Sequence, residues 1–408
     1  MSDSGDSDYG DDGFTPSPRE LIHTNPVLCK EILRAVTTAV PLDIRSSKIA
    51  GSSGSGVFVT KEIAEGREIY RSEPLMSAID AGNESFCYYC LKDTKDEIRT
   101  GGTSAVGEPA KACLGCRVAR FCSKGRQLRV RSLRKIAAGD ELSICYVDPT
   151  IDVEMRREVL KHEHFFDCNC TRCKFEENEH KSLTKGPNNT SLSAFHAAQR
   201  EMINLISSAV IAAKYPGLHK QFEDLDAVDT RLRTIMRRTF PISHWPNHIE
   251  PLPLARLSVS ILYRDQDKLA PALRSVLRGK LMSRRRDGPE FVNEMLDVIR
   301  VLIVTGSLPP DAPTFENKAF PRLQDIRTVA CGYLYETCRE AGKAFGDDTE
   351  YVRGIGEVLK TMVNVRLGGL GKLATKEFEK EFDEAQGKLM QWATVPSAYG
   401  IVLSARTG

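Results

Sequence analysis

An α+β architecture is expected from this chain, with strands in the N-terminal half and helices alone behind them. Three features carry that expectation. Short alternating apolar stretches bounded by glycine occupy residues 45–79 and 128–147. Nine of the twelve cysteines fall between Cys87 and Cys173, which in a non-secreted chain points to bound metal rather than to disulfides. From Ser191 onward the apolar residues recur at helical spacing.

Taken from the N-terminus, residues 1–18 carry five aspartates and no basic residue and read as an acidic, disordered tail. Residues 19–86 begin with a helical pattern through Val40. They continue as strand, turn and strand: Gly54-Ser55-Gly56 leads into Val57 to Thr60, and a turn at Glu65-Gly66 leads into Glu68 to Tyr70. The segment Ile63 to Ile69 is repeated in kind by Ile136 to Leu142, which predicts two similar β-hairpins. Further strands are expected at Leu128 to Arg131 and at Leu142 to Val147. Residues 176–190, charged and then turn-rich, read as a linker. Residues 191–408 read as an array of helical hairpins. Ser191 or Ser193 is the first N-cap, Pro216-Gly217 the first stop, and later helices are expected near 254–262, 269–282, 291–304, 323–338, 351–365 and 376–392.

Composition excludes several functions. Lys and Arg exceed Asp and Glu by two, so bulk charge does not predict a nucleic-acid binder. Arg117 to Lys135 holds eight basic residues. Arg129 and Arg131 alternate with Leu128 and Val130, however, and read as the solvent face of a strand. Arg284 to Arg286 likewise read as solvated loop. No apolar run is long enough to span a membrane, and the acidic N-terminus is not a secretory signal.

The cysteines have metal-ligand spacing. Cys87-x2-Cys90 and Cys113-x2-Cys116 each present two sulfurs on one turn, Cys122 follows, and Cys168-x-Cys170-x2-Cys173 places three thiols within six residues. Thiolates at such spacing suit tetrahedral zinc. Cys145, in an apolar stretch, is expected in the core.

At this point the motifs resemble a known family. The two Cys-x2-Cys pairs followed by Arg117 to Lys124 are similar to the front of a MYND zinc finger. Gly54-Ser55-Gly56, the strand Leu128 to Arg131, Gly139-Asp140-Glu141-Leu142 through Tyr146, and Phe166 through Cys173 resemble a SET domain with its post-SET cysteines. The order resembles the SET- and MYND-domain protein-lysine methyltransferases. The resemblance implies a β-rich SET domain (19–86 and 125–175) interrupted by a truncated MYND-type finger (87–124), a post-SET zinc motif and a tetratricopeptide-like helical array. It implies S-adenosylmethionine and Zn2+ as cofactors, with Ser53, Gly54, Ser55, Gly56, Tyr146 and Phe166 around S-adenosylmethionine and Tyr146 as the catalytic tyrosine. It implies Cys87, Cys90, Cys113, Cys116, Cys122, Cys168, Cys170 and Cys173 as metal ligands. His164 stands where the family often has an aromatic residue of the lysine channel. The expected partner is a protein substrate or peptide, a histone among them, met in nucleus or cytoplasm without membrane or direct nucleic-acid binding.

The departures from the family are as specific as the matches. The Asn-His-Ser-Cys segment that crosses the family's cofactor site is missing, and so is the back of the MYND finger. The family's pattern holds twelve metal ligands, and this chain supplies eight of them. Lys124 runs directly into Gly125 and the next strand, as an internal deletion would leave it. The expectation is a methyltransferase impaired by that deletion, or alternatively a catalytically inactive, zinc-binding interaction protein.

Overall fold

The computed structural model describes residues 40–46, 55–72, 122–124, 127–144, 146–147, 151–163, 166–185, 188, 190–215, 224–309, 312 and 320–403. The expected acidic tail, the first helix, Ser53, Gly54, Cys145, His164 and the finger cysteines Cys87, Cys90, Cys113 and Cys116 lie outside the described residues.

The strands form two small antiparallel sheets. β1 (Leu42–Ser46) pairs with β2 (Ser55–Val59). β5 (Gln127–Arg131) lies between β3 (Glu68–Ser72) and β4 (Cys122–Lys124). Lys124 pairs with Gln127, so the strands on either side of the Lys124/Gly125 junction run antiparallel to each other.

The repeated segment has a structural meaning. Ile63 and Ile136 exchange both backbone hydrogen bonds at 2.9 Å. Around that bridge each bond has a counterpart 73 positions away: Gly66 N–H donates to Ser132 O (2.8 Å) and Gly139 N–H to Val59 O (2.7 Å). Ser132 N–H donates to Arg67 O (2.9 Å) and Val59 N–H to Asp140 O (3.0 Å). Gly66 and Gly139 both have positive φ, +73° and +88°, a conformation costly for a residue with a Cβ. The two copies are therefore not independent hairpins. They close on each other about a local two-fold. Val59, Ile63, Ile69 and Ile136 form the small core beneath, with Val40, Leu42, Tyr70, Val130 and Leu142 packed on it.

The strand expected over Leu142 to Val147 is not formed in the described part of that segment. Glu141 makes a single bridge to Phe58 and Leu142 N–H donates to Val57 O at 2.7 Å, after which the backbone leaves the sheet. Leu142 packs on the small core and Val147 is buried, while Ile144 and Tyr146 are exposed. One alternation of faces is kept without a partner strand to extend it.

Ten α-helices follow among the described residues: α1 (Val153–Glu163), α2 (Thr171–Thr184), α3 (Leu192–Lys214), α4 (Leu225–Thr239), α5 (Leu252–Asp265), α6 (Leu269–Leu281), α7 (Gly288–Gly306), α8 (Leu323–Phe345), α9 (Glu350–Leu367) and α10 (Lys376–Ala393). Ser191 is the N-cap of α3, accepting from Ala194 N–H at 3.1 Å. Asp224, Thr349 and Thr375 cap α4, α9 and α10 in the same way, each cap worth about 1 kcal/mol. From α3 to α9 each helix packs on its neighbours in sequence, and α10 packs on α6 and α8. One continuous apolar core runs from Phe195 to Leu403.

The segment expected as linker is mostly helix. α2 has no apolar stripe, burying only Cys173 and His180. It is held instead by ion pairs at i,i+4, Arg172–Glu176 (2.6 Å) and Glu177–Lys181 (2.6 Å), the device of a polar helix.

The arginines assigned to solvent are structural. Arg129 is 3% exposed. It binds Asp348 at 2.7 Å, just beyond α8, with Glu68 at 3.7 Å. Arg131 donates to Gly66 O. Strand β5 thus turns its basic side toward the helices, docking the sheets on the end of α8. In the other basic stretch, Arg285 is held between Glu250 and Glu294, both at 2.8 Å. Arg284 binds Glu179, and Arg286 donates to Leu281 O and to Tyr399 O.

Candidate functional site

The cysteine motif converges. The ligand atoms of Cys168, Cys170 and Cys173 lie within 4.8 Å of one another. Cys170 is the N-cap of α2, and its sulfur accepts the Cys173 N–H at 3.4 Å. A helix N-terminus favours thiolate over thiol. The Cys170 thiol is drawn down to about 5, first by the hydrogen bond from the Cys173 thiol, against the opposing cost of burial. The Cys173 thiol is pushed up, by that same bond and by burial, and the Cys168 thiol is pushed up by burial. One thiolate and two thiols is a set from which a metal displaces protons. The three sulfurs fit three corners of a tetrahedral zinc site, where Zn–S is about 2.3 Å. Cys122 opens β4, and its side chain lies outside the described residues.

The spacing did not announce Arg156. It lies on the inner face of α1, with Val153 and Leu160. Its guanidinium reaches the Cys173 sulfur at 3.9 Å and Glu176 at 2.5 Å. An arginine at a helix's apolar spacing is the signal that could have marked it.

The expected cofactor residues come together in part. Phe166 N–H donates to Leu160 O at 3.3 Å as the chain leaves α1. Its ring meets Tyr146 edge-on, with centroids 5.8 Å apart at 70°. Tyr146 is 50% exposed, so the pair keeps an aromatic surface open. Gly56 is buried in β2, where a Cβ would stand 2.1 Å from a carboxylate oxygen of Glu141. The Glu141 side chain lies across the backbone there. This close approach, five residues before Tyr146, sets Glu141 against β2, to which it also bridges at Phe58.

These features define a cysteine-bound α+β unit, with an open aromatic pair beside the metal-ligand motif, docked on a helical array. Comparison with known proteins finds likenesses over short stretches of the chain. Histone-lysine N-methyltransferase SMYD3 of Mus musculus is 40% identical over 60 residues, 15% of this chain and 14% of that protein. A SET and MYND domain-containing protein of Dictyostelium discoideum is 30% identical over 84 residues, 21% of this chain and 20% of its own. Histone-lysine N-methyltransferase ATXR4 of Arabidopsis thaliana is 42% identical over 45 residues, 11% of this chain and 14% of that protein. No family model matches the chain. Over these stretches the chain is similar to histone-lysine N-methyltransferases and to a SET and MYND domain-containing protein. It spans about a seventh of the length of the first of them. Among the described residues, no helix is long and apolar enough to cross a membrane.

Proposed function

We propose that this chain is a SET-type protein-lysine N-methyltransferase by descent, directed at histone or other protein lysines, and that it is impaired in cofactor binding. The observation that carries the reading is the Tyr146–Phe166 pair, edge to face and half open to solvent beside the cysteine motif. In an active member, S-adenosylmethionine supplies a methyl group on a sulfonium to a neutral lysine amine. The Tyr146 hydroxyl would orient that amine, the Phe166 ring would pack on the cofactor, and the backbone of Ser53 to Gly56 would line it. Alignment of donor and acceptor is the larger part of such catalysis. Zinc takes no part in the transfer. Cys168, Cys170 and Cys173 would hold it as a structural staple, and Cys87, Cys90, Cys113, Cys116 and Cys122 would serve the truncated finger.

The residues present do not complete the cofactor site. The sequence has no Asn-His-Ser-Cys segment, and the Glu141 carboxylate already occupies the near side of Gly56. A second reading follows from that gap: a zinc-binding interaction protein, without catalysis, that presents its helical array to a peptide.

Titration calorimetry of the full chain with S-adenosylmethionine, together with labelled methyl transfer to bulk histones, tests both. Weak or absent binding and no transfer are expected. Tight, stoichiometric binding overturns the impairment, and transfer abolished by Tyr146→Phe would then assign the catalytic role.

A further inference from the structure

Three arginines crowd the crossing of α5 and α6 beside the end of α10, and a fourth, on α4, acts on them. Arg233 projects from α4, Arg256 from α5, and Arg274 and Arg278, one turn apart, from α6. The crossing of α5 and α6 is close, because Gly279 leaves only 2.9 Å between its missing Cβ and Pro253 O.

Their partners are almost all neutral. Arg278 donates to Ala393 O at 2.6 Å and to the Thr394 hydroxyl. Arg256 donates to Asn247 Oδ1 at 2.8 Å and faces the Met282 sulfur at 3.8 Å. Arg274 lies over the Trp392 ring, 4.7 Å from its centroid. Among the described residues, one carboxylate, Asp229, acts on Arg256 and Arg278, and it is already bonded to Arg233.

The electrostatics show what this costs. The Arg256 guanidinium is drawn down to about 10 by burial and then by Arg278. Arg278 is lowered by burial, Arg274 and Arg233. Elsewhere in the array the chain neutralises such groups, giving Arg285 both Glu250 and Glu294. Here it leaves a net charge of about three positives in one place.

We propose that this corner of the array is a binding site for a diphosphate anion. Guanidinium forks match phosphate oxygens, and several converging forks select a compact multiply charged anion over a lone carboxylate. Pyrophosphate near neutral pH carries about three negative charges, complementary to the cluster. The same chemistry is offered by a nucleoside diphosphate. The proposal is independent of methyl transfer and of zinc.

The test is titration calorimetry and thermal unfolding of the full chain with sodium pyrophosphate and, separately, with ADP. Saturable one-to-one binding of pyrophosphate is expected, with a rise in melting temperature from ligand linkage. Arg278→Gln should weaken it by about tenfold or more. Arg274→Gln removes an exposed side chain and should do the same without threatening the fold. Equal binding of ADP means that the diphosphate alone is read, and tighter binding of ADP adds a nucleoside contact. No saturable pyrophosphate binding, or affinity unchanged in both variants, overturns the proposal. So does binding of a glutamate-rich peptide where pyrophosphate fails.

Discussion

Replacing Arg129 with Met should loosen the sheets from the helical array while leaving the array folded. Arg129 is the buried member of an ion pair that crosses from β5 to the residues after α8, with Asp348 at 2.7 Å and Glu68 at 3.7 Å. Breaking a buried pair costs about 3–5 kcal/mol when the surviving charge is stranded. Neither survivor is stranded here. The Asp348 side chain is 49% exposed, so water can take it back. Glu68 is 18% exposed and keeps Arg71 at 2.7 Å. Methionine also retains most of the buried aliphatic contact. What is lost is one charge-assisted hydrogen bond and a weaker second contact, about 1.5–3 kcal/mol. The loss should fall on the sheets, because their core is four aliphatic side chains and the array has its own. Native-state hydrogen exchange is the assay. Amides of β3 and β5 should lose protection by that amount, and amides of α7 and α8 should keep theirs. A double-mutant cycle with Asp348→Asn should return a coupling of at least about 1 kcal/mol. Uniform loss across both parts, or coupling within error of zero, would refute the docking argument.

Three further outcomes are expected. Burial raises the Glu250 carboxyl to about 7, against the opposing pull of Arg285. The folded chain therefore holds a proton that the unfolded chain releases near 4.5. Stability falls as pH rises between these values, and Glu250→Gln should flatten that slope by on the order of 1–3 kcal/mol. Urea midpoints at pH 4.5 and pH 8 check it, and an unchanged slope counts against it. A Cβ at Gly332 would stand 2.3 Å from two carbons of the Phe382 ring. Gly332→Ala should thus cost about 1–3 kcal/mol in thermal unfolding through overpacking of α8 on α10. Finally, Cys173→Ser should lower the zinc content of the purified chain by one equivalent, measured by atomic emission, with the rest of the protein still folded. Unchanged metal content would remove Cys173 from the ligand set.

The helical array was legible where caps and stripes agreed. Ser191 before Phe195, Met202 and Ile206 specified α3, and Thr375 before Phe378, Phe382 and Leu389 specified α10. α4 carries an equally regular stripe, Leu225, Val228, Leu232 and Ile235, behind Asp224. The charged residues between those positions hide it from a reading by apolar runs. α2 could not be read in this way, because its order comes from i,i+4 ion pairs and a cysteine cap. The gathering of Cys168, Cys170 and Cys173 was legible from their spacing. Arg156 and Glu141 were not, because each acts through a neighbour far off in sequence, Cys173 and Gly56 respectively. Arg129 was misassigned for the same reason. Alternation gives a strand two faces, and only the docking partner decides which of them is wet.

The reciprocal clasp at Ile63 and Ile136 has a bearing on how this chain could change. Each half of the clasp is finished by hydrogen bonds from the other and by the β3–β5 pairing beside it, so the polypeptide joining β3 to β5 closes a loop on that joint. Its length enters stability mainly as the logarithm of loop size, about 0.6 kcal/mol for a doubling. Such a buckle tolerates a strap of almost any length. Excision upstream of Gly125 can thus remove chemistry from the chain and leave its folding intact, so that loss of an activity and loss of a structure become separable events.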